Sequence, residues 1–195
     1  MVEIDNLIES IREMISDVAI ETDRDEDLYF IVSVTNNNDY NSVIDSLYLL
    51  EDTQLAKDSF ISRPNSQSFG DLYLYFYGVL NAIYMQQQAM LVLLRKMSLD
   101  FKPKELRDCK IFDIRNSFAA HSANRGTRDE KEHSFILDRH ALQSGKISGY
   151  SANHQSGHLY HDTDIIELLS EWDKVFEKHL MFVYTAVKEN SKLAT

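Results

Sequence analysis

Phe69 to Met97 is the stretch that most restricts what this chain can become. It contains no proline, is rich in Leu, Met, Gln and aromatic residues, and spreads its apolar positions round much of a helical wheel. That pattern predicts a long helix at the centre of a bundle, covered on several sides. Gly78 inside it is expected where a neighbouring element comes close. The amides Gln86, Gln87 and Gln88 are expected to face solvent or another helix.

The flanking segments agree with a helical class. Ile4 to Ile20 carries apolar residues at 4, 7, 8, 11, 14, 15 and 18, a helical stripe. Val43 to Phe60 reads as a second helix, started by Asp39 or Ser42 and ended before Pro64. Lys104 to Ala120 reads as another. Asp164 to Lys188 reads as the last, with Asp162 or Thr163 at its N-cap. The acidic run "DRDED" at 23–27 reads as a solvated loop, and "LYFIVSV" at 28–34 as a strand or buried extended piece. A hairpin is expected around "LQSGK". The predicted fold is all-α: an antiparallel helical bundle of four to five main helices, with a small β-hairpin inserted before the last helix. One domain covers residues 1–195, with 1–35 as an N-terminal extension and 122–162 as a loop and hairpin insertion.

Six Gly and two Pro argue against a turn-rich sandwich, and a single cysteine, Cys109, excludes an internal disulfide. No apolar run approaches the roughly 18 residues of a membrane span. The opening "MVEIDNLIESIREM" is acidic and amphipathic, unlike a signal peptide. A cytoplasmic protein is therefore expected, with no membrane partner.

The net charge of −11 argues at first against a polyanionic partner. Its distribution changes that reading. Residues 95–146 carry 12 Lys and Arg against 8 Asp and Glu, whereas residues 1–94 carry 4 against 16. For a nucleic-acid binder the local field counts for more than the total.

That cationic segment holds "DIRNSFAAHSANRG", Asp113 to Gly126. At about 100° per residue, Arg115 falls between Ile111 and Phe118 on one side and Phe112 and Ala119 on the other. A charge on an apolar face needs a partner, a cleft or a subunit interface. Asp108, two turns earlier on the same predicted face, is the nearest pairing candidate. His121 shares that face only if the helix stops near Ala120.

"RNSFAAH", Arg115 to His121, resembles the R-x(4–6)-H signature of the HEPN superfamily (higher eukaryotes and prokaryotes nucleotide-binding domain). Asn116 matches the polar residue that often follows the family's arginine. One residue more separates Asn116 from His121 than in many members. The setting is similar too: a helical chain, the motif late in a helix, and one further helix after it. The resemblance implies a homodimer with both motifs at a shared cleft, binding RNA and cleaving it without a metal or other cofactor. Arg115, Asn116 and His121 would then be catalytic, and Arg125 and Arg128 would hold the RNA backbone. In bacterial systems such proteins act as toxins or in phage defence, which implies an antitoxin or other protein partner.

The chemistry suits those residue types. Histidine titrates near neutral pH and can accept or donate a proton. Arginine offers a planar, permanently charged fork to phosphate oxygens. Two other readings stand beside this one. The first is a HEPN-like dimeric interaction module without catalysis. The second is a metal site from His154, His158 and His161, with His133 and His140 upstream; the glycine-containing surroundings suggest a loop there, so no metal is expected. Cys109 is expected to pack rather than react. Ser-His-Asp, P-loop and dinucleotide-binding glycine patterns are absent.

Overall fold

The computed structural model describes residues 2–22, 24–63, 68–120, 134–153 and 157–194. Its order is α1 (Val2–Glu21), α2 (Asp25–Ile31), α3 (Asn37–Ile61), α4 (Phe69–Lys96), α5 (Pro103–Arg107), α6 (Lys110–Arg115), a π-helical turn (Asn116–Ala120), β1 (Ser134–Leu137), α7 (Arg139–Gln143), β2 (Lys146–Asn153), β3 (Gly157–Asp164) and α8 (Ile165–Ala194). The class is all-α, a helical bundle with one small antiparallel sheet in the order β1-β2-β3 placed before the last helix. Two compact units divide the chain: Met1–Leu55, Met85–Arg107 and Asp173–Thr195 form the first, and Ala56–Tyr84 with Asp108–Trp172 the second. Helices α3, α4 and α8 each contribute to both.

In the first unit, α1 buries Ile4, Ile8, Ile11, Ile15 and Val18, the stripe its sequence announces. The same unit buries Val43, Leu47 and Leu50 of α3, Met90, Leu93 and Leu94 of α4, and Phe176, Leu180, Val183 and Val187 of α8. Three amides, Gln54, Gln86 and Gln87, are buried in it. Gln86 donates to the Gln54 side chain at 3.3 Å, and Gln87 donates to the Leu106 carbonyl at 2.8 Å. Buried amides need such partners, because an unmade hydrogen bond there costs about 1–3 kcal/mol. Gln88 stays exposed.

Residues 25–31 are helical rather than a loop followed by a strand. Asp25, Glu26 and Asp27 form the first turn, where carboxylates meet the positive end of the helix dipole. Its C-terminal carbonyls are satisfied from α8: Asn190 donates to Phe30 O, Ile31 O and Ser33 Oγ at 2.9–3.2 Å. Ser33, at φ 56°, then turns the chain out of the helix. Helix α3 begins earlier than expected, at Asn37, because Asn36 rather than Asp39 or Ser42 caps it. The Asn36 side chain accepts from the Asp39 N–H at 3.0 Å and donates to the Asp39 carboxylate at 2.9 Å.

The predicted helix 104–120 is three pieces. Pro103 opens α5, where its missing N–H costs nothing. The chain breaks at Asp108 and Cys109, and α6 restarts at Lys110. In a continuous helix the Leu106 carbonyl would accept from the Lys110 N–H; Gln87 occupies it instead. The third piece is the π turn.

The second unit is built round aromatic side chains. Phe112 of α6 meets Trp172 of α8 edge-on at 5.0 Å, and Phe118 of the π turn meets Phe135 of β1 at 5.5 Å. Phe60, Phe76, Leu80, Leu142, Ile147 and Leu169 are buried in the same unit. The strands expected around "LQSGK" are β1 and β2, which pair antiparallel from Ser134↔Ala152 to Leu137↔Gly149; their connection holds α7 and turns at Gly145 (φ 77°), and β3 adds to β2 from Lys146↔Asp164 to Asn153↔Gly157. Asp164 caps α8, accepting from the N–H groups of Ile166 at 2.7 Å and Glu167 at 3.3 Å, in place of Asp162 or Thr163.

Two glycines separate close approach from open space. A Cβ at Gly149 would collide with the Ile136 carbonyl oxygen and lie 3.0 Å from the Phe118 ring. At Gly78 it would meet nothing within 4 Å, so no neighbour comes close there after all. Gly149→Ala is therefore expected to destabilise by about 1–3 kcal/mol, and Gly78→Ala to stabilise by about 0.5–1 kcal/mol. Urea midpoints of the two variants should move in opposite directions; a shift the same way in both would contradict this packing.

Candidate functional site

Arg115 is the last residue of α6, half-buried, with Ile111, Phe112, Ile114 and Phe118 buried around it. Its guanidinium reaches α4. One terminal nitrogen, Nη2, donates to the Asn81 side-chain oxygen at 3.2 Å, and Nη1 donates to the Asn116 side-chain oxygen at 3.1 Å. The guanidinium carbon lies 4.2 Å from the centre of the Tyr84 ring, a cation–π distance. Nε is buried and has no hydrogen-bond partner among the described residues.

Every one of those partners is electrically neutral. Two amide oxygens and an aromatic face orient the fork without cancelling its charge. No carboxylate pairs with Arg115 among the described residues. An orphaned, buried N–H on a permanent cation is unfavourable unless something else repays it. A planar fork with uncancelled charge suits a tetrahedral or planar oxyanion.

Asp108 belongs to the break before α6, so it does not stand two turns below Arg115 on a shared helix. Asn116 opens the π turn and is half-buried, with its side-chain oxygen engaged by Arg115. The backbone N–H of Asn116 bonds Asp113 O and Phe112 O, closing α6. His121, Arg125, Arg128, His133 and His154 lie outside the described residues. His158 and His161 fall on β3 rather than in a loop, opposite Ala152 and Gly149 in register. His140 is exposed on α7, its ring edge-on to Phe69 at 5.5 Å. Among the described residues no group of three or more His, Cys, Asp or Glu could hold a metal ion. No helix among them is long and apolar enough to cross a membrane.

Cys109 stands at the N-cap of α6 without a side-chain cap bond. Burial, and then the nearby carboxylates of Glu171 and Asp108, push its thiol up from the ordinary value. A thiol held neutral is a poor nucleophile.

Asn81 and Tyr84 are the site residues that sequence reasoning missed. They sit three apart on α4, on the face that also carries Tyr73 and Tyr77. The available signal was that face: a polar and phenolic stripe beside the exposed positions Leu74, Gly78 and Met85.

No family model, curated protein or solved structure matches the chain.

Arg115→Met removes the orphaned donor and keeps most of the side-chain volume. The lost ring contact and the relieved Nε are of similar size, about 1–2 kcal/mol each, and the freed amide oxygens of exposed Asn81 and half-buried Asn116 can turn to water, so stability should change by less than about 1 kcal/mol. A loss above about 2 kcal/mol in urea unfolding would make the arginine a structural strut. Cys109 should alkylate with iodoacetamide only at a pH above that at which an exposed thiol reacts, because its raised pKa delays the thiolate. Reaction at neutral pH as fast as glutathione's would overturn that environment.

Proposed function

We propose that this protein binds RNA at Arg115 and cleaves it without a metal, as a homodimer of the HEPN kind. The observation that carries the reading is the uncancelled charge of Arg115, oriented by Asn81, Asn116 and Tyr84 and paired with no carboxylate among the described residues. A phosphodiester is the ligand whose geometry and charge such a fork fits. The π turn at 116–120 supports the reading from another side. Its i→i+5 closure takes up one residue more than an α-turn, and "RNSFAAH" has one residue more than many family members between Asn116 and His121. Single π turns occur often at functional sites.

In the proposed reaction the ribose 2′-oxygen attacks the adjacent phosphorus, and the bond to the 5′-oxygen breaks. One His121 accepts the 2′-OH proton, and the His121 of the second copy donates a proton to the departing 5′-oxygen. The products are a 2′,3′-cyclic phosphate and a 5′-OH. Arg115 stabilises the crowded anionic phosphate between them. Asn116, already bonded to Arg115, fixes the direction of the fork. Arg125 and Arg128 contribute backbone charge, which makes binding salt-dependent.

Mixed RNA incubated in EDTA with the wild-type protein should yield fragments ending in 2′,3′-cyclic phosphate. Arg115→Ala and His121→Ala should each slow this by about a hundredfold or more. Equal cleavage by all three proteins, or cleavage that EDTA abolishes, would remove the catalytic assignment. If RNA is bound but never cut, and Arg115→Ala dissociates the dimer in sedimentation, the non-catalytic interaction module is the correct reading.

A further inference from the structure

One face of α4 is only partly covered. Phe69, Tyr73, Tyr77 and Tyr84 follow one another at steps of four and seven residues, so they fall on one slowly winding stripe. At 1.5 Å per residue the stripe runs for about 22 Å. All four belong to the same compact unit. Phe69, Tyr73 and Tyr84 are half-buried, and Tyr77 keeps 40% of its surface exposed. The Tyr73 and Tyr77 rings lie 5.9 Å apart and only 24° from parallel. Burial raises the Tyr77 hydroxyl from its ordinary value, with a smaller contribution from Tyr73, so the phenol stays neutral.

Each end of the stripe carries an arginine. Arg115 covers Tyr84 at 4.2 Å, and Arg139 covers Phe69 at 5.5 Å. Neither makes an ion pair among the described residues. Arg139 is exposed, at the start of α7, which Asp138 caps by accepting from the His140 N–H at 2.8 Å. Asn81, between Tyr77 and Tyr84, is exposed and accepts from Arg115. A row of ring faces with cations over its two ends is complementary to a strand of unpaired bases joined by phosphates.

We propose that the Phe69–Tyr73–Tyr77–Tyr84 stripe of α4, bracketed by Arg139 and Arg115, is a stacking track for single-stranded RNA. This rests on the assignment of RNA to Arg115 and extends it: the substrate is single-stranded, and it enters the Arg115 site along α4. Bases lie against the tyrosine faces, which accept any of the four. The two guanidinium groups take the phosphates that flank the stacked run. A duplex hides its base faces within its own stack and so gains nothing from the tyrosines. The track therefore selects strand state rather than base sequence.

The test uses the full-length chain with His121→Ala, so that bound RNA stays intact, and a short fluorescein-labelled oligouridylate read by anisotropy. Adding Tyr73→Ser or Tyr77→Ser should weaken binding at least about fivefold each, the scale of one lost base–aromatic stack. Tyr77→Trp, which restores a ring, should bind as tightly as the parent. Circular dichroism melts of each variant confirm that the fold is retained. The same oligouridylate annealed to oligoadenylate should bind at least about tenfold more weakly. If the parent binds the oligouridylate and Arg115→Ala weakens it while both serine variants match the parent, the track is overturned and the Arg115 assignment stands. If the duplex binds as tightly as the single strand, the track is overturned as well. If the serine variants dissociate a dimer in sedimentation and leave RNA binding unchanged, the stripe is an interface between copies and the proposal fails. If neither the parent nor the wild-type protein binds the oligouridylate or any mixed RNA, the Arg115 assignment itself falls and the track with it.

Discussion

A helix as long as α4, with no proline to interrupt it, has to find a use for every direction round its axis. In the second unit, Leu72, Phe76, Val79 and Leu80 enter the core, while Tyr73, Tyr77 and Asn81 remain on the outer side. In the first unit, Met90, Leu91, Leu93 and Leu94 are buried together with the amides Gln86 and Gln87. Each of those amides is bonded, one to a side chain of α3 and one to the last turn of α5. The second bond satisfies the Leu106 carbonyl, which the end of α5 leaves without a helical partner, and α6 begins afresh at Lys110. Arg115 owes its place to that fresh start and not to a helix begun at Lys104.

Five of the described arginines fall into two sorts. Arg24 pairs with Asp27, and Arg12 pairs with Glu51 while lying 4.5 Å over the Tyr48 ring. Arg63, Arg115 and Arg139 lie over aromatic rings and pair with no acid among the described residues. Arg63 lies 3.9 Å over Phe60 and donates to the Phe60 carbonyl at 2.7 Å. Burial, unrelieved by any acid, lowers the pKa of its guanidinium. All three of the second sort belong to the second unit. Cation–π contacts hold a guanidinium in place and leave its charge available, which a carboxylate would not.

Much of this was legible in the sequence, and the parts that were not share a cause. The 3.6-residue stripes of α1, α4 and α8 are local and long, so periodicity found them. The flanking of Arg115 by Ile111, Phe112 and Phe118 was readable for the same reason. Helix α2 was misread because β-branched and aromatic residues over "LYFIVSV" resemble a strand when its acidic first turn is assigned to a loop. The break at Asp108 goes with a bond from Gln87, nineteen residues before Leu106, and no local rule carries that. The π turn leaves no mark in residue type. Gly78 shows the opposite error: a glycine in a helix suggested a neighbour, and there is only open space. Asn81 and Tyr84 became visible as site residues only once α6 was placed against α4, since a tyrosine on a helix is ordinary until an arginine covers it.

The charge balance sharpens what the unpaired arginines mean. The chain has 31 Asp and Glu against 20 Lys and Arg, so carboxylates are not scarce. In such a chain an arginine left without an acid is not short of candidates; its surroundings have been built from neutral groups. At physiological salt, charges beyond about 8 Å are largely screened. The acidic total would therefore weigh little on an anion placed against Arg115, while acids near that fork would weigh heavily. The same screening sets the order of events for a polyanion approaching this molecule. The distant field gives it no encouragement, so affinity has to come from contact, and contact on this face offers ring surfaces as well as charge. Under the RNA reading proposed above, a single strand would use both and a closed duplex only the charge.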